Sequence, residues 1–334
     1  MPQFYTPVLK THQSGISANL ILNSSHGDRF TDDDMFTFEL ALPRFMLPEL
    51  NTHRATSKNL QSSRAVPMKK SIQLVRENPF FPVHWGKNQP GMTSKEEFTG
   101  DDLAAVKLLY KEAMDHTLDV ADRLAAYEPH KQWASRILEP YAFTRAVVSS
   151  TWSGLSNLLW LRNDDSAQPE FQVLAKLMIA AIKESKPIEL NPGEWHLPYV
   201  KTVVHPTTIE YQTTIDYQDT NGNSLTLEDA LKISASCCAQ VSYRKLDDSY
   251  DKAMDIFTKL FSGSKLHMSP TEHQATPIDV EAFDTTTPYH WEDGITHIRR
   301  DGTPCSGNLT NWIQYRQTIP NNVCTASMKD LLGQ

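Results

Sequence analysis

The sequence predicts an α+β fold, and three observations carry that prediction. Residues 35–42 alternate Phe36, Phe38, Leu40 and Leu42 with Thr37, Glu39 and Ala41, the period of two expected of a half-buried strand. An apolar run at 19–22 pairs with it across the turn-like Ser24-Ser25-His26-Gly27-Asp28. Residues 101–128 then set Leu103, Val106, Leu109, Ala113, Met114, Leu118, Ala121 and Leu124 at helical spacing, with Asp101 or Asp102 as cap.

The remaining elements follow in order. Pro43 can open a helix, because its fixed φ suits a first turn; that helix runs from Arg44 to about Arg54, kinked at Pro48. Residues 78–100 are rich in Pro, Gly and Asn and read as a loop. Helices are expected at 130–138, 141–160 and 169–185, the last stopped by Lys186-Pro187. Residues 187–222 are Pro-rich, then alternate through Ile209, Tyr211, Thr213, Ile215 and Tyr217 before the turn at Thr220-Asn-Gly-Asn. Two more helices fall at 225–243 and 247–262, and the chain from Ser264 on reads as irregular. No internal repeat is present, and the chain reads as a single domain over 1–334 with 280–334 as an irregular extension.

A chain of 334 residues can bury a large core. Its formal net charge of −8 argues against a general nucleic-acid surface and fits a local basic pocket for a small anion. There is no apolar run of membrane-spanning length and no secretory signal at the N-terminus. Four cysteines in so long a chain are no disulfide framework, so a reduced, cytoplasmic protein is expected, in a host cell's cytoplasm if the chain is phage-encoded.

The stretch Asn51–Arg64 concentrates the polar chemistry. Arg54 and Arg64 can fork onto phosphate or carbonyl oxygens, and His53, Ser57, Ser62 and Ser63 add short donors with no acid to offset the cations. A solvated basic loop and a pocket for an oxygen-rich anion are both compatible with that composition.

The flanks decide between them. His53-Arg54, Ser57, Asn59, Ser62 and Arg64 stand at the spacings of the signature loop of the flavin-dependent thymidylate synthases, which this stretch resembles. A second set is similar to that family's helical region: Arg136-Ile-Leu-Glu-Pro, Thr144-Arg145, Leu155-Ser-Asn-Leu-Leu-Trp-Leu-Arg162 and Ala167-Gln-Pro-Glu170. A third, at 233–244 and at His267-Met-Ser-Pro-Thr-Glu-His273, resembles the family's N-terminal pieces, yet here it follows the signature loop by some 200 residues. A circular permutation accounts for that order, and permutation succeeds where termini lie close together at the surface.

The resemblance implies a central antiparallel sheet with long helices, the segments circularly permuted, in a long, phage-type member of the family. It implies transfer of one carbon from methylene-tetrahydrofolate to C5 of a deoxypyrimidine monophosphate, dUMP to dTMP, with FAD as cofactor, folate and NADPH as cosubstrates, and a homotetramer as the assembly. By the same resemblance Glu49, Ser62, Arg64, Arg136 and Arg162 bind the nucleotide, with Arg162 and Ser62 as the catalytic pair. Thr52, His53, Arg54, Asn157, His267 and Ser269 meet the flavin. No metal is called for.

Departures from the family pattern cluster in the site. Thr52 replaces an arginine, Glu49 a glutamine, Leu60-Gln61 an acidic position, Ala65 a tyrosine, and Thr151 and Ser153 an asparagine and an arginine. A carboxylate at 49 can accept from the exocyclic amine of cytosine, so a dCMP or dUMP hydroxymethylase stands as an alternative. A non-catalytic nucleotide or flavin binder stands as a second. Cys237-Cys238 read as small core residues, and most of His84, His116, His130, His196, His205 and His297 as surface or loop residues.

Overall fold

The computed structural model describes residues 3–27, 33–206, 213–242, 249–261, 266–280, 283 and 291–333. The chain starts with β1 (Gln3–Phe4), β2 (Val8–Thr11), β3 (Ser17–His26) and β4 (Met35–Pro43). A 3-10 turn (Arg44–Met46) and one helical turn, α1 (Leu47–Leu50), lead to β5 (Ser57–Leu60). Then come α2 (Met68–Glu77), α3 (Gly100–Ala125), α4 (Lys131–Ala134), a 3-10 segment (Ser135–Tyr141), β6 (Phe143–Thr151), α5 (Trp152–Arg162), α6 (Pro169–Glu184) and β7 (Ile188–Leu190).

These strands build the main sheet, in the order β2-β3-β4-β6-β5, antiparallel throughout, with β7 added parallel to β3. Strand β4 explains the layering. Phe36, Phe38, Leu40 and Leu42 point into a core shared with Leu155 and Leu158 of α5 and Phe171, Leu174 and Met178 of α6. Met35 and Thr37 point the other way, Met35 into a cluster with Leu309 and Trp312. Side chains alternate across a strand, so one sheet carries two different cores.

A peripheral sheet joins β1 to β8 (Lys201–Pro206), β9 (Thr213–Gln218) and β10 (Ser224–Leu225). Helices α7 (Leu227–Ala239) and α8 (Tyr250–Phe261) pack on each other; Thr226 caps α7 by accepting from Asp229 N at 3.2 Å. A 3-10 turn (Ser269–Glu272) follows, then β11 (Ala275–Pro277), β12 (His297–Ile298), β13 (Pro304–Ser306), β14 (Leu309–Thr310) and β15 (Trp312–Gln314). β11 pairs with β15, so the C-terminal part returns to cover the second face of the main sheet.

Beneath that cover lies a buried polar chain. Ser24 Oγ and Thr37 Oγ1 meet the two ring nitrogens of His196, each at 2.8 Å, Thr37 Oγ1 meets Ser149 Oγ at 2.7 Å, and Ser149 Oγ meets His273 Nδ1 at 2.8 Å. Burial pushes both imidazoles down to about 3, so both are uncharged at neutral pH.

Several sequence expectations are corrected. Residues 141–160 are not one helix: 143–151 form the central strand β6, and the helix starts at Trp152. β6 is buried on both faces, so its run of small and β-branched residues lacks the alternation that marks a half-buried strand. Pro48 does not kink a long helix; it sits in the first turn of α1, which stops at Leu50. Ser24–His26 continue β3 rather than turning, while Asp28 lies outside the described residues, as do Ile209, Tyr211 and the Tyr243-Arg244 end of the third matching set. The described residues after Ser264 are not irregular throughout: they include β11 to β15, strands of two or three residues, too short to show a period in the sequence. Leu109 and Ala113 are exposed on the outer side of α3, whose buried stripe is Met114, Leu118, Ala121 and Ala125. His196 is core rather than surface or loop; His84 lies in a loop as expected, paired with Glu97 at 3.1 Å, and His130 is exposed as expected, accepting from Gln132 N to cap α4.

Candidate functional site

The signature stretch is a bend, a strand and a second bend. After α1 the chain folds back through Thr52–Thr56, where Thr52 Oγ1 donates to Glu49 O at 2.7 Å and Thr56 Oγ1 to His53 O at 2.8 Å. Lys58 Nζ then reaches back to His53 O at 2.5 Å and to Thr56 O at 2.8 Å. That ammonium is largely removed from water, which pulls it down to about 8 despite the nearby Glu272 carboxylate. Ser57–Leu60 pair with β6, and a turn at 63–65 ends the stretch.

Arg162 comes to this bend from α5. The helix buries Leu155, Leu158 and Leu159, and Arg162 extends the same stripe one turn further. Its guanidinium lies over the Phe171 ring, 5.1 Å from the centroid. Nε donates to His53 Nε2 at 2.8 Å, and Nη1 forms an ion pair with Glu49. His53 Nε2 is therefore the accepting nitrogen, which leaves the ring proton on Nδ1. Burial first, then the charges of Arg162 and Lys58, push His53 down to about 4. A neutral histidine, an arginine and a carboxylate thus converge from two elements more than 100 residues apart.

The other expected site residues are distributed around this centre. Thr52 and Arg54 are exposed on the bend, and Arg54 and Arg64 have no carboxylate partner among the described residues. Ser62 lies at the far end of β5 and lines a cavity of about 280 Å³ with Arg44, Gln61, Ser63, Lys70 and Arg145. Arg64 is exposed beside it, its backbone N–H donating to Ser62 Oγ at 3.3 Å. Asn157 is exposed on the outer face of α5 with Trp160 and Leu161, away from the Arg162 stripe. Arg136 is exposed on the 3-10 segment against α2 and α3, donating to Gln132 O at 3.2 Å. Among the described residues no hydrogen bond or ion pair joins Arg136 to Glu49, His53 or Arg162. His267 and Ser269 are exposed at the 3-10 turn Ser269–Glu272, which packs on β5. The segment numbered 200 residues later therefore does reach the signature strand.

Sequence reasoning missed Lys58, Phe171, Asn308 and Gln314. Lys58 and Phe171 lie within the matching segments but outside the positions that define them. Asn308 and Gln314 lie some 250 residues away in a segment with no periodic signal, and only the fold brings them to Ser57.

A family profile described as thymidylate synthase complementing protein matches residues 14–188, a little over half of the chain. A search of curated proteins finds no match. Among solved structures the chain is similar to a UMP/dUMP methylase, PolB, from Streptomyces cacaoi bound with 5-Br UMP, at 17% identity over 52% of this chain and 90% of that one, with a TM-score of 0.41. It is also similar to thymidylate synthase X from Helicobacter pylori with FAD and dUMP, at 23% identity over 44% of this chain and 67% of that one, with a TM-score of 0.31. The matched span holds the bend, β5, β6 and both helices that carry the convergent residues, and the chain belongs to the thymidylate synthase complementing protein family, the flavin-dependent thymidylate synthases, as a flavin-dependent one-carbon transferase.

Proposed function

We propose that the protein transfers one carbon from methylene-tetrahydrofolate to C5 of a deoxypyrimidine monophosphate, dUMP to dTMP, with FAD as cofactor and NADPH as the source of electrons. The observation that carries this reading is the convergence of Glu49, His53 and Arg162 beside the exposed Arg54 of the first bend. The residues fit a flavin nucleotide: Arg54 offers a guanidinium with no carboxylate partner among the described residues to its phosphates, and His53 offers a neutral ring. Bound flavin supplies the reducing electrons, and the protein binds and orients.

Arg162 already spends Nε and Nη1 on His53 and Glu49, so Nη2 is the group left to face a ring carbonyl of the base. There it stabilises negative charge as C5 becomes nucleophilic, in a setting already dry enough to keep His53 neutral. Ser62 and Arg64 stand at the other end of β5, about 13 Å along a four-residue strand, and take the nucleotide's anionic oxygens. Thr52, Arg54, Asn157, His267 and Ser269 belong to the flavin side and Arg136 to the nucleotide side. Asn157 and Arg136 stand on other faces of this chain, which accords with a site completed by neighbouring copies in a homotetramer. The return of 267–273 to β5 accords with a permuted family N-terminus.

Glu49 favours a second reading. Paired with Arg162, its carboxylate is held at the same end of the site as the base, where it can accept from a cytosine amine. That supports dCMP as a substrate, with methyl or hydroxymethyl product.

The test is an absorbance spectrum of the purified protein, then turnover with dUMP and with dCMP, each with methylene-tetrahydrofolate and NADPH. Flavin absorbance and a C5-modified product are expected. A colourless protein that does not take up added FAD would leave a non-catalytic homologue instead.

A further inference from the structure

The bend that presents His53 and Arg54 has a buttress that lies partly outside the span matched to the family. Ala55 O accepts from Ser150 Oγ at 2.9 Å and from Asn308 Nδ2 at 3.2 Å. Asn308 Oδ1 accepts from Ser57 Oγ at 3.1 Å and from Gln314 Nε2 at 2.9 Å. The Gln314 amide also reaches Ser57 Oγ at 3.3 Å and Glu272 O at 3.2 Å. One carboxamide therefore holds two positions of the bend, at Ala55 and Ser57, and a second amide fixes the first. Ser57 and Gln314 are buried, so an unmade bond there leaves a polar group away from water.

The hairpin that carries Asn308 is itself constrained. Gly307 adopts φ +59°, and a Cβ built there would lie 2.8 Å from Gln314 Oε1. A side chain at 307 would thus disturb both the backbone and the amide that supports Asn308. Gln314 ends β15, whose pairing with β11 anchors it to the same layer as the turn Ser269–Glu272.

We propose that Asn308 is a positioning residue for the flavin and nucleotide site, holding the Ala55–Ser57 bend so that His53 meets Arg162 and Arg54 faces the ligand. The inference rests on the function proposed above for that bend, but the clamp itself is tested independently of it. Nothing in Asn308 needs to touch ligand. Its effect passes through the backbone of residues 53–57.

The experiment compares the full-length protein with Asn308→Ala and Asn308→Asp. The first removes both bonds; the second keeps an acceptor for Ser57 and Gln314 but loses the donor to Ala55 O. Backbone hydrogen exchange is expected to speed about tenfold at residues 55–60 in Asn308→Ala, with α6 and the centre of β4 unchanged. Exchange unchanged at 55–60, or raised equally everywhere, overturns the clamp. Fluorescence titration with FAD is expected to show about tenfold weaker binding for both variants, since each removes the Asn308 donor from Ala55 O and leaves only Ser150 Oγ there. Faster exchange with unaltered FAD affinity overturns the positioning role. A wild-type protein that binds no FAD overturns the functional reading, while the exchange result still decides whether Asn308 holds the bend.

Discussion

Arg162 Nε lies 2.8 Å from His53 Nε2 while Nη1 of the same guanidinium meets Glu49, so a single side chain of α5 ties α1 to the start of the bend that follows it. The fork geometry matters here, because one cation serves an imidazole and a carboxylate in different directions. Arg162→Lys keeps the charge but offers no planar fork. It is expected to lower kcat/KM for the nucleotide about a hundredfold, as loss of a charge-stabilising donor does. Steady-state kinetics with the preferred nucleotide check this, and a lysine variant within threefold of the parent would contradict the role given to Arg162.

Glu49 separates the two substrate readings. Glu49→Gln removes the charge and presents an amide that can donate to a uracil carbonyl. The ratio of kcat/KM for dCMP to that for dUMP is expected to drop at least roughly tenfold, the scale of one base-edge hydrogen-bond pair. Competition between the two nucleotides at equal concentration measures the ratio directly. An unchanged ratio would remove Glu49 from base selection.

Acid should weaken the fold from near pH 6.5 downward. His53 is held down at about 4, and His196 and His273 at about 3, all below the usual 6.5. As pH falls below 6.5 the unfolded chain binds protons that these folded imidazoles refuse, so stability present above 6.5 is lost progressively towards pH 3. At pH 5 the loss is about 2 kcal/mol for each of the two fully buried rings. Thermal melts between pH 7.5 and 4.5 check the slope. His273→Gln lowers stability at pH 7.5 but is expected to flatten the acid limb; an identical limb would mean that another group titrates.

At Gly154 the backbone of α5 lies against Ala55 of the bend. A Cβ there would lie 2.7 Å from Ala55 O and 2.9 Å from Ala55 Cβ. Backbone cannot retreat as the end of a flexible side chain can, so Gly154→Ala is expected to cost about 1–3 kcal/mol by overpacking. Urea unfolding measures that cost, and FAD titration of the folded fraction is expected to show weaker binding.

The sequence made some of this legible and hid the rest for definable reasons. The alternation in 35–42 emerges as β4, whose phenylalanines and leucines all face one of its two cores, and the apolar periods of 169–185 and 225–243 emerge as α6 and α7. β6 carries no strand signal in the sequence, because its buried run of small and β-branched residues does not alternate in polarity. The spacing of His53, Glu49 and Arg162 marked residues that do converge, since α5 carries Arg162 on its buried stripe. Arg136 and Asn157 do not join them in one chain. Asn308 and Gln314 were invisible, because nothing local distinguishes an amide that will meet a serine some 250 residues earlier.

The pairing of β11 with β15, and the reach of Gln314 to Ser57, also set a timetable for biogenesis. A ribosome delivers the bend some 250 residues before its last support. Closing so long a loop is slow relative to local helix formation. The bend therefore stays unsupported until residue 314 has emerged. Loading of any ligand there is consequently a step that follows the synthesis of Gln314, and a chain stopped before residue 314 is expected to fold locally without completing the bend.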